Sequence, residues 1–205
     1  MNLHEHWLES WRQLGASATD ESLYLQLVAC YSEPHRHYHT VQHLTECLAL
    51  LEAVEDQADR PAEVAIALWF HDAVYQPKRH DNEQKSADWA SRSILAAGID
   101  HSVADRIHGL ILATRHNAAA TGRDAQVLVD IDLAILGASP ERFAEYEAQV
   151  RKEYAWAIGP LYRRGRRKVL EEFMARPTIY STESFRSTRE AQARINISRS
   201  LAALR

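Results

Sequence analysis

The sequence predicts an all-α fold, and three observations lead there. Apolar residues recur at helical spacing along nearly the whole chain, while the period-two alternation of strands is hard to find. Turn formers are scarce, with 7 Gly and 6 Pro in 205 residues. The punctuation that does occur falls where helices begin and end. Each element follows in turn. Helices are expected near 2–14 and 20–31, the second carried by Leu23, Leu27 and Cys30. One near 39–56 carries Val41, Leu44, Leu48 and Leu51, and one near 61–72 has Pro61 in its first turn and Val64, Ala65, Leu68 and Trp69 on its apolar face. A helix near 83–97 ends at Gly98, whose freedom to turn left-handed suits a C-cap. The next, near 101–116, carries Ile107, Leu110, Ile111 and Thr114. Another spans 125–136. Ser139-Pro140-Glu141 opens one near 140–158, one near 160–175 stops before Pro177, and a last one runs from 187 to 204.

A chain of 23.4 kDa with 46% hydrophobic and 25% charged residues is of a size and composition to bury one core, and it excludes collagen-like and disordered classes. With no repeat or Ser/Gly linker, one domain over 1–205 is expected, its metal-site core at about 31–136 and its C-terminal helices 140–204 packed on that core. Cys30 and Cys47 lie in helical stretches without CxxC spacing and read as reduced, buried thiols. The absence of a long apolar run and of a leader-like start makes the cytoplasm the expected compartment and a membrane partner unexpected. The net charge of -4 conceals an asymmetry: residues 1–150 carry -12 and residues 151–205 carry +8. Lys and Arg interleaved with Glu along helices form a solvated face, and no recognition helix, zinc finger or aromatic RNA-binding motif accompanies them, so nucleic acid is not the expected partner.

Chemistry-bearing residues are unevenly placed. All 11 histidines lie at or before His116. His35, His37, His39 and His43 crowd SEPHRHYHTVQHL, where His39 and His43 are four apart and would share a face of a helix, as a ligand pair or as surface residues. The apolar helix AIALWF ends in His71-Asp72, a doublet able to reach one metal ion or to cap the following turn. In VLVDIDLAIL, Asp132 has Leu128, Val129, Ile135 and Leu136 as helical neighbours, whereas Asp130 is flanked by Gln126 and lies nearer a polar edge. A buried Asp132 requires a strong partner: an arginine such as Arg115, or a metal shared with His43, His71 and Asp72.

This order of a lone His, a His-Asp doublet and a distant Asp resembles the HD superfamily of metal-dependent phosphohydrolases. The likeness extends from about residue 31 to the end through RHYHTVQHL, WFHDAVY, NEQKSA, DIDLAILG, GRRKVLEEF and IYST, and it is nearest to a bacterial group described as predicted metal-dependent HD phosphohydrolases. The resemblance implies an HD-type helical bundle in which His43, His71, Asp72 and Asp132 hold one divalent ion, with Asp130 orienting a ligand from outside. Two imidazoles and two carboxylates suit Mn, Fe, Co, Ni or Zn, with Mg also admissible. The Tyr38-His39…His43 spacing is similar to that of cyclic-nucleotide phosphodiesterases, HD relatives in which the earlier His protonates the leaving oxygen. By that likeness His39 is the general acid. Thr40 stands where those enzymes carry Asn, and no purine-clamping Gln is recognised, so the likeness extends to the role of His39 and not to a cyclic-nucleotide substrate.

The resemblance thus implies hydrolysis of a small phosphate ester, such as a nucleotide, by an activated water. Arg36, Lys78, Arg79 and Arg115 are the cations available to the phosphate, each with an alternative life as an ordinary surface charge. Glu83, in a segment like the NExxSA of the near group, either positions the water or a second metal or serves as a first-turn helix acid. His116 would bind substrate phosphate or a second ion, and His108 is structural. Gly165-Arg166, Ile179-Tyr180 and Arg194-Ile195-Asn196 also match that group, without an evident chemical role. Trp7, Trp11, Trp69, Trp89 and Trp156 read as packing residues. Two rival functions are compatible with the same residues: a di-iron oxygenase, and a non-catalytic metal- or nucleotide-binding regulatory module.

Overall fold

The computed structural model describes residues 2–204 and is all-α: ten α-helices and two short 3-10 segments, with no strand among the described residues. The contacts group into two compact units, one ending at Ile131 and the other beginning at Asp132.

The first unit is built on α4 (Pro61–Phe70), which begins at Pro61 as expected and is buried at every residue from Glu63 to Phe70. Its all-round apolar surface is satisfied by α1 (Leu3–Leu14), α3 (Val41–Ala53), α5 (Asn82–Ala96) and α6 (His101–Ala113), all of which pack against it. Trp69 is fully buried and meets the rings of Trp7 and Tyr24, the latter from α2 (Glu21–Tyr31). Glu63, buried in the first turn of α4, is held by a bidentate bond from Arg106. Helix α5 ends as the sequence predicts, with Gly98 at φ 77° donating to the Leu95 carbonyl.

Two boundaries differ from expectation in ways that matter. Helix α3 starts at Val41, not at 39, because Thr40 takes extended backbone and its hydroxyl accepts the Gln42 amide. His39 therefore stands in the turn ahead of the helix, and the shared helical face with His43 is not formed. Helix α7 (Arg123–Asp132) gives way after Asp132 to a 3-10 turn at Leu133–Gly137. The division between units falls in the last turn of α7, and Asp132 is carried by that helix.

The second unit joins this 3-10 turn to α8 (Pro140–Glu153), α9 (Gly159–Ala175) and α10 (Glu183–Ala203). Ser139 caps α8 by accepting the Arg142 amide, as its sequence predicts, and α10 begins four residues earlier than its apolar pattern suggested. Helix α10 packs along the 3-10 turn and on α9. Arg166 pairs with Glu147 and Arg194 with Glu190, so both arginines meet acids within the unit. Trp156 departs from the packing role expected of it, being 47% exposed. No helix among the described residues is long and apolar enough to cross a membrane.

Candidate metal centre

Helix α4 carries its own carboxyl end into the interior, and this delivers the doublet. His71 is the C-cap of α4 and is 1% exposed. Its Nδ1 lies 2.7 Å from the Leu68 carbonyl, an acceptor that fixes the hydrogen on Nδ1 and leaves Nε2 as the lone-pair nitrogen of the neutral ring. That Nε2 is 3.2 Å from Nε2 of His43, a buried residue of the first turns of α3, and 3.1 Å from Oδ2 of Asp72. Oδ2 of Asp72 is in turn 3.6 Å from Nε2 of His43. One ligand atom each from His43, His71 and Asp132 likewise falls within a 4.8 Å group.

These distances fit one cation. Two ligands each about 2.0–2.2 Å from a divalent ion, at tetrahedral or octahedral angles, stand roughly 3.0–3.5 Å apart. Without a positive charge among them, the His71 lone pair and the Asp72 carboxylate would face one another at a repulsive distance. Burial alone would raise the Asp72 carboxyl, but where His71, His39 and His43 are protonated their charges and the His71 hydrogen bond outweigh it and hold the group below the ordinary carboxylate range. Asp72 is thus anionic when positive charge sits beside it.

His39 reaches the same place from the turn before α3. Its ring stacks on Tyr75 at 4.2 Å between centroids and lies edge-on to His43 at 6.0 Å. Tyr75, three residues beyond Asp72, is the residue that sequence reasoning missed; its only signal was an aromatic following the doublet, and nothing in periodicity says that it will lie on a histidine 36 positions earlier. Tyr31 was missed too. Its buried hydroxyl donates to the Trp69 carbonyl and accepts the Asp72 amide, at 3.2 and 3.4 Å. Ser86 and Asn82 also support the loop, accepting the amides of Val74 and Gln76.

The expected role of Arg36 as a substrate cation is corrected. Its side chain is 0% exposed and its guanidinium is taken up by the Glu33 carboxylate and by the carbonyls of His39, Asp72 and Ala73. It staples the turn bearing His39 to the loop bearing Asp72, a task that a planar five-donor group performs. The expectation for Asp130 changes as well. It is fully buried, not at a polar edge, because α7 is buried on every residue from Val127 to Ile131 and Gln126 does not open that face; Asp132 is the more exposed of the two.

The remaining predicted residues occupy more open ground. Lys78 and Arg79 are exposed in the loop after the doublet, with Arg79 paired to Asp81 at 2.7 Å. Glu83 sits in the first turn of α5, its carboxylate 3.9 Å from Nε of Arg115, and Arg115 also donates to the Gln84 side chain. His116 follows α6 with left-handed backbone, φ 54°. His108 is bonded to Asp88 and Gln84, the structural role expected of it. Cys47, one turn after His43, is buried with Sγ 3.6 Å from Nδ1 of that ring, whereas Cys30 is only half-buried.

No family model, no curated protein and no solved structure matches this chain.

Proposed function

We propose that the protein is a metal-dependent phosphohydrolase of the HD type that cleaves a small phosphate ester such as a nucleotide, with His43, His71, Asp72 and Asp132 as the ligands of a divalent ion. The observation that carries this reading is the convergence of His43 Nε2, His71 Nε2 and Asp72 Oδ2 at 3.1–3.6 Å around a histidine whose other nitrogen is already committed to a carbonyl. When bound, the ion supplies Lewis-acid activation of a water and of a phosphoryl oxygen. His39 is the general acid, giving a ring proton to the leaving oxygen, with Tyr75 and the Arg36 staple holding its ring in place. Lys78, Arg79 and Arg115 compensate charge on the phosphate, Glu83 orients the water, and His116 binds the phosphate. Arg36 is withdrawn from that set because its donors are occupied.

Elemental analysis of freshly purified protein, paired with Asp132→Ala and Asp72→Ala, tests the site. One stoichiometric divalent ion, lost in both variants with the helical circular dichroism retained, is the expected result, and that ion is then used to screen phosphomonoesters and nucleotides. His39→Ala should keep the ion and lower turnover by about 10²-fold or more. A metal-replete, active Asp72→Ala protein would overturn the proposed ligand set. Two irons per chain with oxygen consumption would replace hydrolysis by oxygenase chemistry.

A further inference from the structure

Two of the C-terminal segments to which the sequence assigned no chemistry, Ile179-Tyr180 and Arg194-Ile195-Asn196, meet at one place, the 3-10 turn that leaves Asp132. Tyr180, fully buried, donates its hydroxyl to the Leu133 carbonyl at 3.1 Å. Asn196, 2% exposed, donates its amide to the carbonyls of both Leu136 and Ala138 at 2.9 Å. The amide is turned that way by Gln192, which donates to its oxygen at 2.8 Å. Tyr180 is itself fixed from behind. The Glu190 carboxylate accepts the amides of Ile179 and Tyr180, and Arg194 binds Glu190 together with the carbonyls of Arg176 and Pro177.

The turn leaves no space for slack. A Cβ on Gly137 would lie 2.7 Å from the Arg189 carbonyl oxygen and 2.9 Å from the Tyr180 hydroxyl. Carbonyls at a helix end have no partners within the helix, and these are the groups that Tyr180 and Asn196 take up. Metal ligands must keep their distances within about 0.2 Å, so a one-residue hinge next to Asp132 would loosen the site even with every ligand present.

We infer that Tyr180 and Asn196 are positioning residues for the metal centre: they pin the Leu133–Ala138 turn and thereby fix the backbone that carries Asp132. The inference rests on the metal reading above. Its subject is a pair of residues more than 40 positions along the chain from any proposed ligand.

The test is a Co²⁺ titration of the full-length protein, freed of metal by chelation, followed by the visible absorption of the bound ion and accompanied by the thermal midpoint of the metal-free form. Tyr180→Phe, which removes one oxygen, and Asn196→Ala are compared with wild type. Each is expected to bind Co²⁺ about 10–100-fold more weakly, with an altered absorption band, as loss of an outer support does at metal sites. A lowered thermal midpoint with unchanged Co²⁺ affinity and spectrum in both variants would overturn the inference and leave the metal reading standing. A wild-type protein that takes up no Co²⁺ would overturn both.

Discussion

Arg36 shows how a cation that the sequence sets beside the candidate site is taken up by the fold itself. From the sequence it is a cation beside three histidines, and a phosphate is the natural partner for such a group. In the folded protein its guanidinium has exchanged water for a carboxylate and three carbonyls, two of them belonging to the Asp72–Ala73 backbone. Lysine keeps the charge but cannot span these acceptors, because it is a single ammonium on a flexible stem. Arg36→Lys should therefore cost about 2 kcal/mol or more of stability, since charged hydrogen bonds contribute roughly 1.5–3 kcal/mol each and a carbonyl left dry adds its own penalty. Urea unfolding measures this; an unchanged midpoint would return Arg36 to the list of substrate cations. The two aspartates of α7 teach a related lesson. Flanking residues predicted their order of burial, and the structure reverses it, because exposure is set by what packs on a helix and not by its own neighbours in sequence.

Among the elements, α4 was the most legible. Its apolar run, Pro61 at the first turn and the polar doublet at the end place a helix near 61–72, within two residues of the observed Pro61–Phe70, whereas its central place, buried at every residue from Glu63 to Phe70, is a finding of the structure. The start of α3 was not legible in the same way. Histidines at i and i+4 invite a continuous helix, and Thr40 is equally at home inside one or at its cap; only the folded backbone shows that its hydroxyl has taken the Gln42 amide. The consequence is functional, since the cap frees His39 from helical geometry and lets its ring turn onto Tyr75. Thr40→Ala is expected to lower stability by about 1 kcal/mol, the usual worth of such a cap, with Thr40→Ser close to wild type. Chemical denaturation of the two variants side by side provides the measurement, and equal stability of Ala and Ser would show that the cap contributes nothing.

For the molecule as a whole, the proposed metal centre would tie stability to the ion. His43, His71 and Asp72 bring three ligand atoms within 3.6 Å of one another, and a cation among them would satisfy all three together. Whatever binds the folded state alone stabilises it by mass action, by about 2.7 kcal/mol at a hundred-fold excess over Kd. Removal of the ion by a chelator should accordingly lower the thermal midpoint by several degrees and its return should restore it, while His71→Ala should respond to neither. A wild-type midpoint indifferent to chelation after metal analysis had shown an ion would place that ion elsewhere on the protein.

The sequence by itself determined the helical class, the apolar helix from Pro61 and the residue types at its polar end, because apolar periodicity, caps and an isolated polar doublet in an apolar run are local signals with local causes. It also singled out His43, His71, Asp72 and Asp132, through their types and order. Only the tertiary structure decided that Asp72 meets both histidines within 3.6 Å, that Tyr75 lies on His39, that Arg36 faces inward and that Tyr180 and Asn196 grip the turn after Asp132. These are contacts between residues tens of positions apart. Their free energy is realised only once the helices have packed, and no short window of sequence carries it.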